Sequence, residues 1–320
     1  MIRELKAAAV ALVAVAASGL GSAAGATPVR THVAMAHTSS AGDPVIAAAG
    51  DIACDPSDSG WNGGKGTSSR CKEMATSDMI LAEPSIDAVL ALGDNQYQCG
   101  GYRAYLQSFD PSWGRFKAEI HPVPGDNEYE TSGTDCASGG AGYFTYFGAV
   151  AGNAQGDYAW TLGSWRLIAL NAECSHAGGC GSGTVQPNFL KNQLGSATCT
   201  LVYWHQPYYK GTTRRASNYS YFWHTLYSGG ADLVLNGHLH NYSRFAPQDA
   251  DGNVDDARGV RQFIVGTGGK NLFSLDGTRN VQFTTKAFGI LELTLHPTSY
   301  DWTFVATSGK TLDTGSASCH

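Results

Sequence analysis

Charged side chains are scarce in this sequence, and no segment concentrates basic residues. Asp, Glu, Lys and Arg make up 15% of the 320 residues, and the formal net charge is -6. Without a cluster of Lys and Arg, we expect no nucleic-acid binding surface and no electrostatic attachment to an anionic membrane. Hydrophobic residues make up 42% of the chain, which is enough for a sizeable core and argues against wholesale disorder.

Long hydrophobic runs are absent except near the N-terminus. There, Arg3 and Lys6 precede an apolar, Ala-rich stretch at 7–17, and an A-x-A cleavage motif ends at Ala26. The apolar stretch is too short to span a bilayer, although a permanent N-terminal anchor is the alternative. The pattern predicts a signal peptide, and therefore a secreted protein with no membrane span after its removal.

The rest of the sequence has no repeats, heptads or low-complexity tract that would divide it. Beyond the predicted signal peptide at 1–26, residues 27–44 are small and polar, which predicts a flexible leader. The segment 45–320 has a length typical of one domain built from two packed sheets. We therefore expect a single domain at 45–320.

The eight cysteines include no C-x-x-C pair, which argues against a zinc–thiolate site. All eight follow the predicted cleavage point, and an even number in an exported chain indicates disulfides. Eight cysteines allow 105 connectivities, so the sequence leaves the pairing open. Judged by the loops that they would close, the favoured pairs are Cys174–Cys180, Cys199–Cys319, Cys54–Cys71 and Cys99–Cys136.

Apolar runs of strand length alternate with segments of helical pattern, which predicts an α/β fold. Strands are predicted at 45–50, 87–92, 119–123, 157–162, 165–171, 200–204, 232–235, 260–266, 290–295 and 301–305, and helices at 71–83, 101–109, 187–197 and 221–228. Five of the strands end in a short segment that contains Asp, His, Tyr or Asn. Because ligands of such sheets bind beyond the carboxyl ends of the strands, we expect these polar residues to converge on one site.

These five segments carry side chains that bind metals. They are Gly50-Asp51, Gly93-Asp94-Asn95-Gln96-Tyr97, Gly125-Asp126-Asn127-Glu128, His205 and Gly237-His238-Leu239-His240. Carboxylates and imidazoles in one cluster suit zinc, manganese or iron. A carboxylate that bridges two such ions makes a centre able to clamp both oxygens of an in-line phosphoryl displacement. Any one segment alone is a common turn or cap, but the set in this order predicts a metal site.

The five segments resemble the signature of the calcineurin-like metallophosphoesterases, and more narrowly that of the purple acid phosphatase branch and its secreted bacterial relatives. Most of the superfamily has a His two residues after the first Asp, where this sequence has Ala53. The purple acid phosphatase pattern instead has Tyr in G-D-x-x-Y, which Gly93 to Tyr97 match. The resemblance spans about residues 45–306 and implies a four-layer αββα sandwich, with two mixed sheets packed together and helices outside.

The resemblance also implies two metal ions, each iron, zinc or manganese. One ion would be held by Asp51, Asp94, Tyr97 and His240, and the other by Asp94, Asp126, His205 and His238, with Asp94 as the bridge. For Tyr97, a packed aromatic without a ligand role is the alternative. The implied reaction is hydrolysis of a phosphate ester, in the first place a monoester, by a metal-bound hydroxide.

The third segment departs from the family pattern, which is G-N-H-[DE]. Asp126 replaces an Asn ligand and adds a negative charge, which favours metal retention but weakens attraction for an anionic substrate. Asn127 replaces the His that, in the family, contacts the phosphate and assists the leaving group. Asn donates a hydrogen bond but transfers no proton, and losing a general acid costs on the order of 10²–10⁴-fold in rate.

Besides Asn127, three residues are candidates for contact with the phosphate. His176 lies between Cys174 and Cys180, and Arg214 and Arg215 follow His205 closely. Arginine binds phosphate oxygens through its planar fork of donors, but ordinary surface residues are the alternative for all three. Two other functions stay open: a phosphodiesterase or phospholipase using the same site, and a catalytically impaired metal- and phosphate-binding relative.

Overall fold

The computed structural model describes residues 42–320 except 134 and 213–216. The predicted signal peptide, most of the predicted leader, and the two candidate phosphate-binding residues Arg214 and Arg215 lie outside the described residues.

Thirteen strands and five α-helices make up the described part of the chain. The strands are β1 (Val45–Ala49), β2 (Ile86–Leu92), β3 (Ile120–Val123), β4 (Tyr158–Leu162), β5 (Trp165–Ala169), β6 (Cys199–Tyr203), β7 (Leu233–Asn236), β8 (Tyr242–Phe245), β9 (Arg261–Val265), β10 (Val281–Thr285), β11 (Gly289–Leu295), β12 (Ser299–Ala306) and β13 (Thr311–Ser318). The helices are α1 (Glu73–Ala82), α2 (Tyr102–Ala104), which continues as a π-helical segment at Tyr105–Phe109, α3 (Ala141–Phe147), α4 (Val185–Gln193) and α5 (Ser220–Ser228). Short 3₁₀ turns lie at Asn62–Gly64, Trp113–Glu119, Asn127–Tyr129, Ser138–Gly140, Gly148–Ala151 and Ser217–Tyr219.

The strands form two mixed sheets. The first has six strands in the order β13-β12-β11-β1-β2-β3, in which β1, β2 and β3 are parallel and the other neighbours are antiparallel. The second has seven strands in the order β10-β8-β9-β7-β6-β5-β4, with β5, β6, β7 and β9 parallel. The predicted α/β fold with two packed sheets is confirmed.

The two faces of the second sheet contribute to two different cores. Leu201 and Tyr203 of β6 belong to the core that they share with the first sheet. Val202 and Trp204 point the opposite way, because successive strand residues alternate between faces, and pack in a second core with Phe222 of α5. Strands β1 and β2 are buried along almost their whole length, as expected for parallel strands covered on both faces.

All eight cysteines form disulfides, and the four favoured pairs are confirmed. Cys54–Cys71 and Cys99–Cys136 close loops that begin just after Asp51 and Tyr97. Cys174–Cys180 closes the loop after β5, and Cys199–Cys319 ties the end of β13 to β6. Disulfides of this kind limit the freedom of the loops that carry the candidate ligands. Within the described residues, no helix has the length and apolar character needed to cross a membrane.

Candidate metal centre

Three of the predicted ligands have a left-handed backbone directly after a strand. Asp51 follows β1 with φ 59°, Asp94 follows β2 with φ 48°, and His238 follows β7 with φ 68°. Non-glycine residues seldom adopt this conformation, and when they do they cluster at functional sites. The turn at each strand end directs its side chain into one shared cluster.

Two glycines allow other loops to approach this cluster closely. A Cβ atom at Gly125 would lie 2.2 Å from Oδ1 of Asp94, and one at Gly266 would lie 2.7 Å from Oδ2 of Asp51. Both distances are far below a normal contact distance. The backbone can therefore approach these carboxylates this closely only at glycine, which has no side chain.

The four residues of the first predicted ligand set are in mutual contact. The hydroxyl of Tyr97 lies 3.0 Å from Oδ1 of Asp51, 2.8 Å from Oδ2 of Asp94 and 3.2 Å from Nε2 of His240. The same Nε2 of His240 is 3.1 Å from Oδ1 of Asp51. Asp51, Asp94 and Tyr97 are almost completely buried.

The second predicted set meets around Asp126. Its Oδ1 lies 3.1 Å from Nε2 of His205 and 3.1 Å from Nδ1 of His238. Nε2 of His205 is also 3.2 Å from Oδ1 of Asp94. The ligand atoms of Asp126, His205 and His238 lie within 4.8 Å of one another, as do those of Asp51, Asp94 and His205. The geometry thus places two ligand groups side by side, with His205 in both.

The hydrogen bonds of His205 show that this arrangement suits a cation. Its Nδ1 is 2.8 Å from the carbonyl oxygen of Leu92, and because a carbonyl only accepts, Nδ1 carries the hydrogen. In the neutral ring, Nε2 then presents its lone pair to the carboxylates of Asp94 and Asp126, and this buried atom has no hydrogen bond of acceptable geometry. The lone pair of Nε2 and the negative carboxylate oxygens repel each other, and a metal ion bound between them removes this repulsion.

His240 is oriented in the same way. Its Nδ1 lies 2.9 Å from Oδ1 of Asn271, while its Nε2 faces Asp51 and Tyr97. A second-shell partner on one ring nitrogen is typical of metal-binding histidines, because it fixes the tautomer and the plane of the ring. Carboxylates, neutral imidazoles and one phenol fit zinc, manganese or iron.

The electrostatics of the cluster are those of a site that holds positive charge. Burial acts to lower the pKa of His205, but the nearby carboxylates of Asp94, Asp126 and Asp51 raise it well above its usual value. Burial acts to raise the pKa of Asp126, but hydrogen bonds and charges from His205 and His238 lower it below its usual range. Burial, Asp51 and Asp94 raise the pKa of Tyr97 well above its usual value. Metal binding must displace the protons that the raised pKa values of His205 and Tyr97 favour.

Residues of the third segment fix the position of Asp94, the predicted bridging carboxylate. The backbone N–H of Asn127 donates to Oδ1 of Asp94 at 2.9 Å, and its side-chain amide donates to Oδ2 at 2.6 Å. Glu128 is buried and accepts hydrogen bonds from the backbone N–H groups of Asn95, Gln96 and Gly125. Asn127 therefore orients Asp94, and Glu128 fixes the loop on which Asp94 lies.

The other candidates and several unpredicted residues lie around the cluster. The exposed ring of His176 stacks on Tyr129, with centroids 4.5 Å apart, rather than on a predicted ligand. Gln206 donates to Oδ1 of Asp126 at 3.3 Å and also to Oε1 of Glu173. The Nζ of Lys270 lies 4.8 Å above the ring of Tyr97.

Four residues near the cluster were not predicted from the sequence, namely Gln206, Glu173, Lys270 and Asn271. Glu173 was open to prediction, because it closely follows a predicted strand just as the proposed ligands do. Lys270 and Asn271 follow the Gly-rich run 266–269, but only tertiary packing brings them to Tyr97 and His240.

Residues 45–242, more than half of the chain, match the family model of the calcineurin-like phosphoesterases. The chain belongs to this family. This match confirms the predicted family and, at that level, the predicted class of phosphoesterase. No curated protein sequence matches it.

Several solved structures share the fold of this phosphoesterase. A purple acid phosphatase of yellow lupin (Lupinus luteus) has a TM-score of 0.71 at 20% identity, covering 88% of this chain and 54% of its own. GAP50, the anchor in the inner membrane complex of Plasmodium, has a TM-score of 0.59 at 15% identity, and the match covers 87% of this chain and 89% of GAP50. PhoD has a TM-score of 0.57 at 14% identity, and the match covers 88% of this chain and 71% of PhoD. The phosphoesterase spans about half the length of the lupin protein.

Proposed function

We propose that this phosphoesterase is a secreted enzyme that hydrolyses phosphate monoesters with two bound metal ions. The observation that carries the proposal is the pair of adjacent ligand groups, Asp51 with Asp94 and His205, and Asp126 with His205 and His238. When bound, two such cations lower the pKa of coordinated water and neutralise charge on the phosphoryl group. Tyr97, in contact with both Asp51 and Asp94, supports a purple acid phosphatase type of centre.

The residues of the site lie close enough together to be the ligands of both cations. Asp51, Tyr97 and His240 would hold the first, and Asp126, His205 and His238 the second, with Asp94 between them. Asn127 keeps both oxygens of Asp94 in place, and the carbonyl of Leu92 keeps Nε2 of His205 directed at the carboxylates. Preorganised polar groups of this kind are the main source of catalytic electrostatics in enzymes.

Secretion is supported by the disulfides together with the predicted signal peptide. Four disulfides in one domain are typical of proteins in an oxidising compartment, because cytosolic thiols are kept reduced. We expect the mature N-terminus of the exported protein to follow Ala26, which N-terminal sequencing of the secreted protein checks.

A diesterase is the second candidate, and the charge around the second ligand group favours it. The side chain of Asp126 is 39% exposed, and its negative charge has no counterpart in the Asn of the family pattern. Uncompensated carboxylates repel a monoester dianion more strongly than a diester monoanion.

Metal analysis combined with matched substrates tests the proposal. The purified protein is analysed for bound metals and then assayed with an aryl phosphate monoester and the corresponding diester. We expect about two metal ions per chain and a higher kcat/KM for the monoester. Asp94→Asn serves as the control and should lose both metal and activity. A strong preference for the diester supports the second candidate, and two bound metals without turnover support a catalytically impaired relative.

A further inference from the structure

The amide of Asn127 is engaged with Asp94 and has no proton to transfer. Its Nδ2 donates to Oδ2 of Asp94 at 2.6 Å, and its backbone N–H donates to Oδ1 at 2.9 Å. An amide also cannot act as a general acid. If the proposed hydrolysis takes place here, another group must protonate the leaving oxygen of esters with poor leaving groups.

Glu173 places a carboxyl group beside the second ligand group without belonging to it. The side chain of Gln206 connects the two, because its Nε2 donates both to Oδ1 of Asp126 and to Oε1 of Glu173. Gln206 directly follows the predicted ligand His205. Glu173 is partly buried, and the neighbouring side chain of Asp126 is 39% exposed.

The backbone of Glu173 is held rigidly. Its N–H donates to Oδ1 of Asn171 at 3.0 Å, and its carbonyl accepts from the N–H groups of His176 and Ala177. The next residue, Cys174, forms a disulfide with Cys180, at a sequence separation of 6. The amide of Asn171 also donates to the hydroxyl of Tyr129 at 2.7 Å, which ties this loop to the segment that carries Asp126 and Asn127.

We infer that Glu173 is the proton donor to the leaving group, in the role that the family gives to the His absent at position 127. This inference rests on the proposed function. In the step, a water oxygen forms the new bond to phosphorus, and the ester P–O bond breaks with its electron pair on the leaving oxygen. The carboxyl proton of Glu173 goes to that oxygen, the attacking water gives up a proton to solvent, and the Glu173 carboxylate is reprotonated from solvent. The sum is ester plus water to alcohol plus phosphate.

The surroundings of Glu173 favour its protonated form. Burial raises the pKa of Glu173 above the usual value, and the hydrogen bond from Gln206 opposes this. The phenols of Tyr129 and Tyr219 face the same carboxyl group from the neighbouring segments. A carboxylic acid with a raised pKa is the type of general acid that works near neutral pH.

A leaving-group series with Glu173→Gln tests the inference. Metal-loaded wild type and variant are assayed with aryl phosphates whose leaving groups range from strongly to weakly acidic phenols, and with an alkyl phosphate. For poor leaving groups we expect the variant to lose about 10²–10⁴-fold in kcat/KM, and for the best leaving group less than about tenfold. Glu173→Asp, which keeps the acid, should recover part of the loss on poor leaving groups.

Glu130→Gln is the matched control, because it makes the same change at an exposed position near the third segment. It should leave the leaving-group dependence unchanged. Metal content and thermal unfolding are measured for every variant, and rates are expressed per metal-loaded site. An equal loss for all leaving groups, or no loss, overturns the role of Glu173 while leaving the proposed hydrolysis intact. A metal-loaded wild type that hydrolyses no ester in the series overturns the proposed function and this inference with it.

Discussion

Asp94 is fixed by its own backbone and by donors from two other residues. Its φ of 48° turns the side chain away from the direction of β2, and Asn127 and Tyr97 donate hydrogen bonds to its two oxygens. Asp51 accepts a hydrogen bond from the N–H of His238 at 2.7 Å, and its Oδ1 lies 3.0 Å from the hydroxyl oxygen of Tyr97. The strain at these residues is compensated only inside the assembled cluster, which is the pattern expected of a site organised before its ligand binds.

Tyr97→Phe tests the phenol as a ligand. The substitution keeps the ring beneath Lys270 but removes the oxygen that contacts Asp51, Asp94 and His240. In protein loaded with Fe(III), we expect the wild type to show a visible phenolate-to-iron charge-transfer band and the variant to lose it. Tyr105→Phe is the control, since Tyr105 is buried and bonded to Glu128 instead. A band that survives in Tyr97→Phe shows that this phenol is not a ligand.

Asn127→His tests whether this position orients Asp94 or supplies a proton. Restoring the family residue removes the amide that donates to Oδ2 of Asp94. Loss of such an outer partner costs metal sites about 10–100-fold in affinity, so we expect weaker metal binding by titration in a metal buffer. We expect no gain in rate on an ester with a poor leaving group. A clear gain at unchanged metal occupancy would show that position 127 is where the general acid belongs.

At the scale of elements, the sequence predicts central strands better than edge strands. Strands such as β1 and β2 are apolar and buried on both faces, so their composition alone marks them. Of the three unpredicted strands, β8 lies inside the second sheet, whereas β10 and β13 lie at the edges of their sheets. Strand β13, with the sequence TLDTGSAS, is partly exposed and poor in large apolar residues. Its pairing with β12 depends on tertiary context that no local pattern contains.

In the candidate site, residues at the ends of apolar strands were easier to predict than residues that meet through contacts between loops. Asp51, Asp94 and His205 were predictable because each follows an apolar strand, and the ends of parallel strands meet at one edge. Glu173 and Gln206 meet only because the loop after β5 folds over the end of β6. Contacts between loops depend on packing and on which cysteines form disulfides. The sequence alone allows 105 pairings of the eight cysteines.

The stack of His121 on Trp160 joins two edge strands and makes stability depend on pH. His121 lies in β3 and Trp160 in β4, and their rings are 3.6 Å apart and nearly parallel. Burial lowers the pKa of His121 to about 4, below the value near 6.5 of an unfolded chain. Between these values the unfolded chain binds a proton that the folded chain does not. The resulting stabilisation is complete above about pH 6.5 and is lost as pH falls towards 4.

His121→Phe should remove this dependence while keeping an aromatic partner for Trp160. Urea unfolding of the metal-free protein between pH 4 and 7 should show a shallower loss of unfolding free energy in the variant, with a difference of up to about 3 kcal/mol. The exposed His224→Gln is the control and should follow the wild type. If the unfolding free energy of His121→Phe and of wild type falls equally with pH, His121 does not cause the loss of stability in acid.

At the scale of the whole molecule, each proposed metal ion would connect the two sheets. Asp51, Asp94 and Tyr97 follow strands of the first sheet, whereas His240 follows β7 of the second. In the other ligand set, Asp126 follows β3 of the first sheet, and His205 and His238 follow β6 and β7 of the second. The sheets already share one apolar core, so the metals would act as polar clamps at the edge of that core.

Metal removal should therefore lower the stability of the entire fold rather than of one loop. A ligand that binds only the folded state at 100 times its Kd contributes about 2.7 kcal/mol. In a domain of this size, each kcal/mol shifts Tm by about 2–4 °C, so calorimetry should show chelated protein unfolding roughly 5–10 °C below metal-loaded protein. Asp51→Asn, which weakens a ligand from the first sheet, should respond less to added metal. If chelation strips the metal without moving Tm, the ions do not connect the sheets, and the disulfides and the shared core alone hold the two ligand groups together.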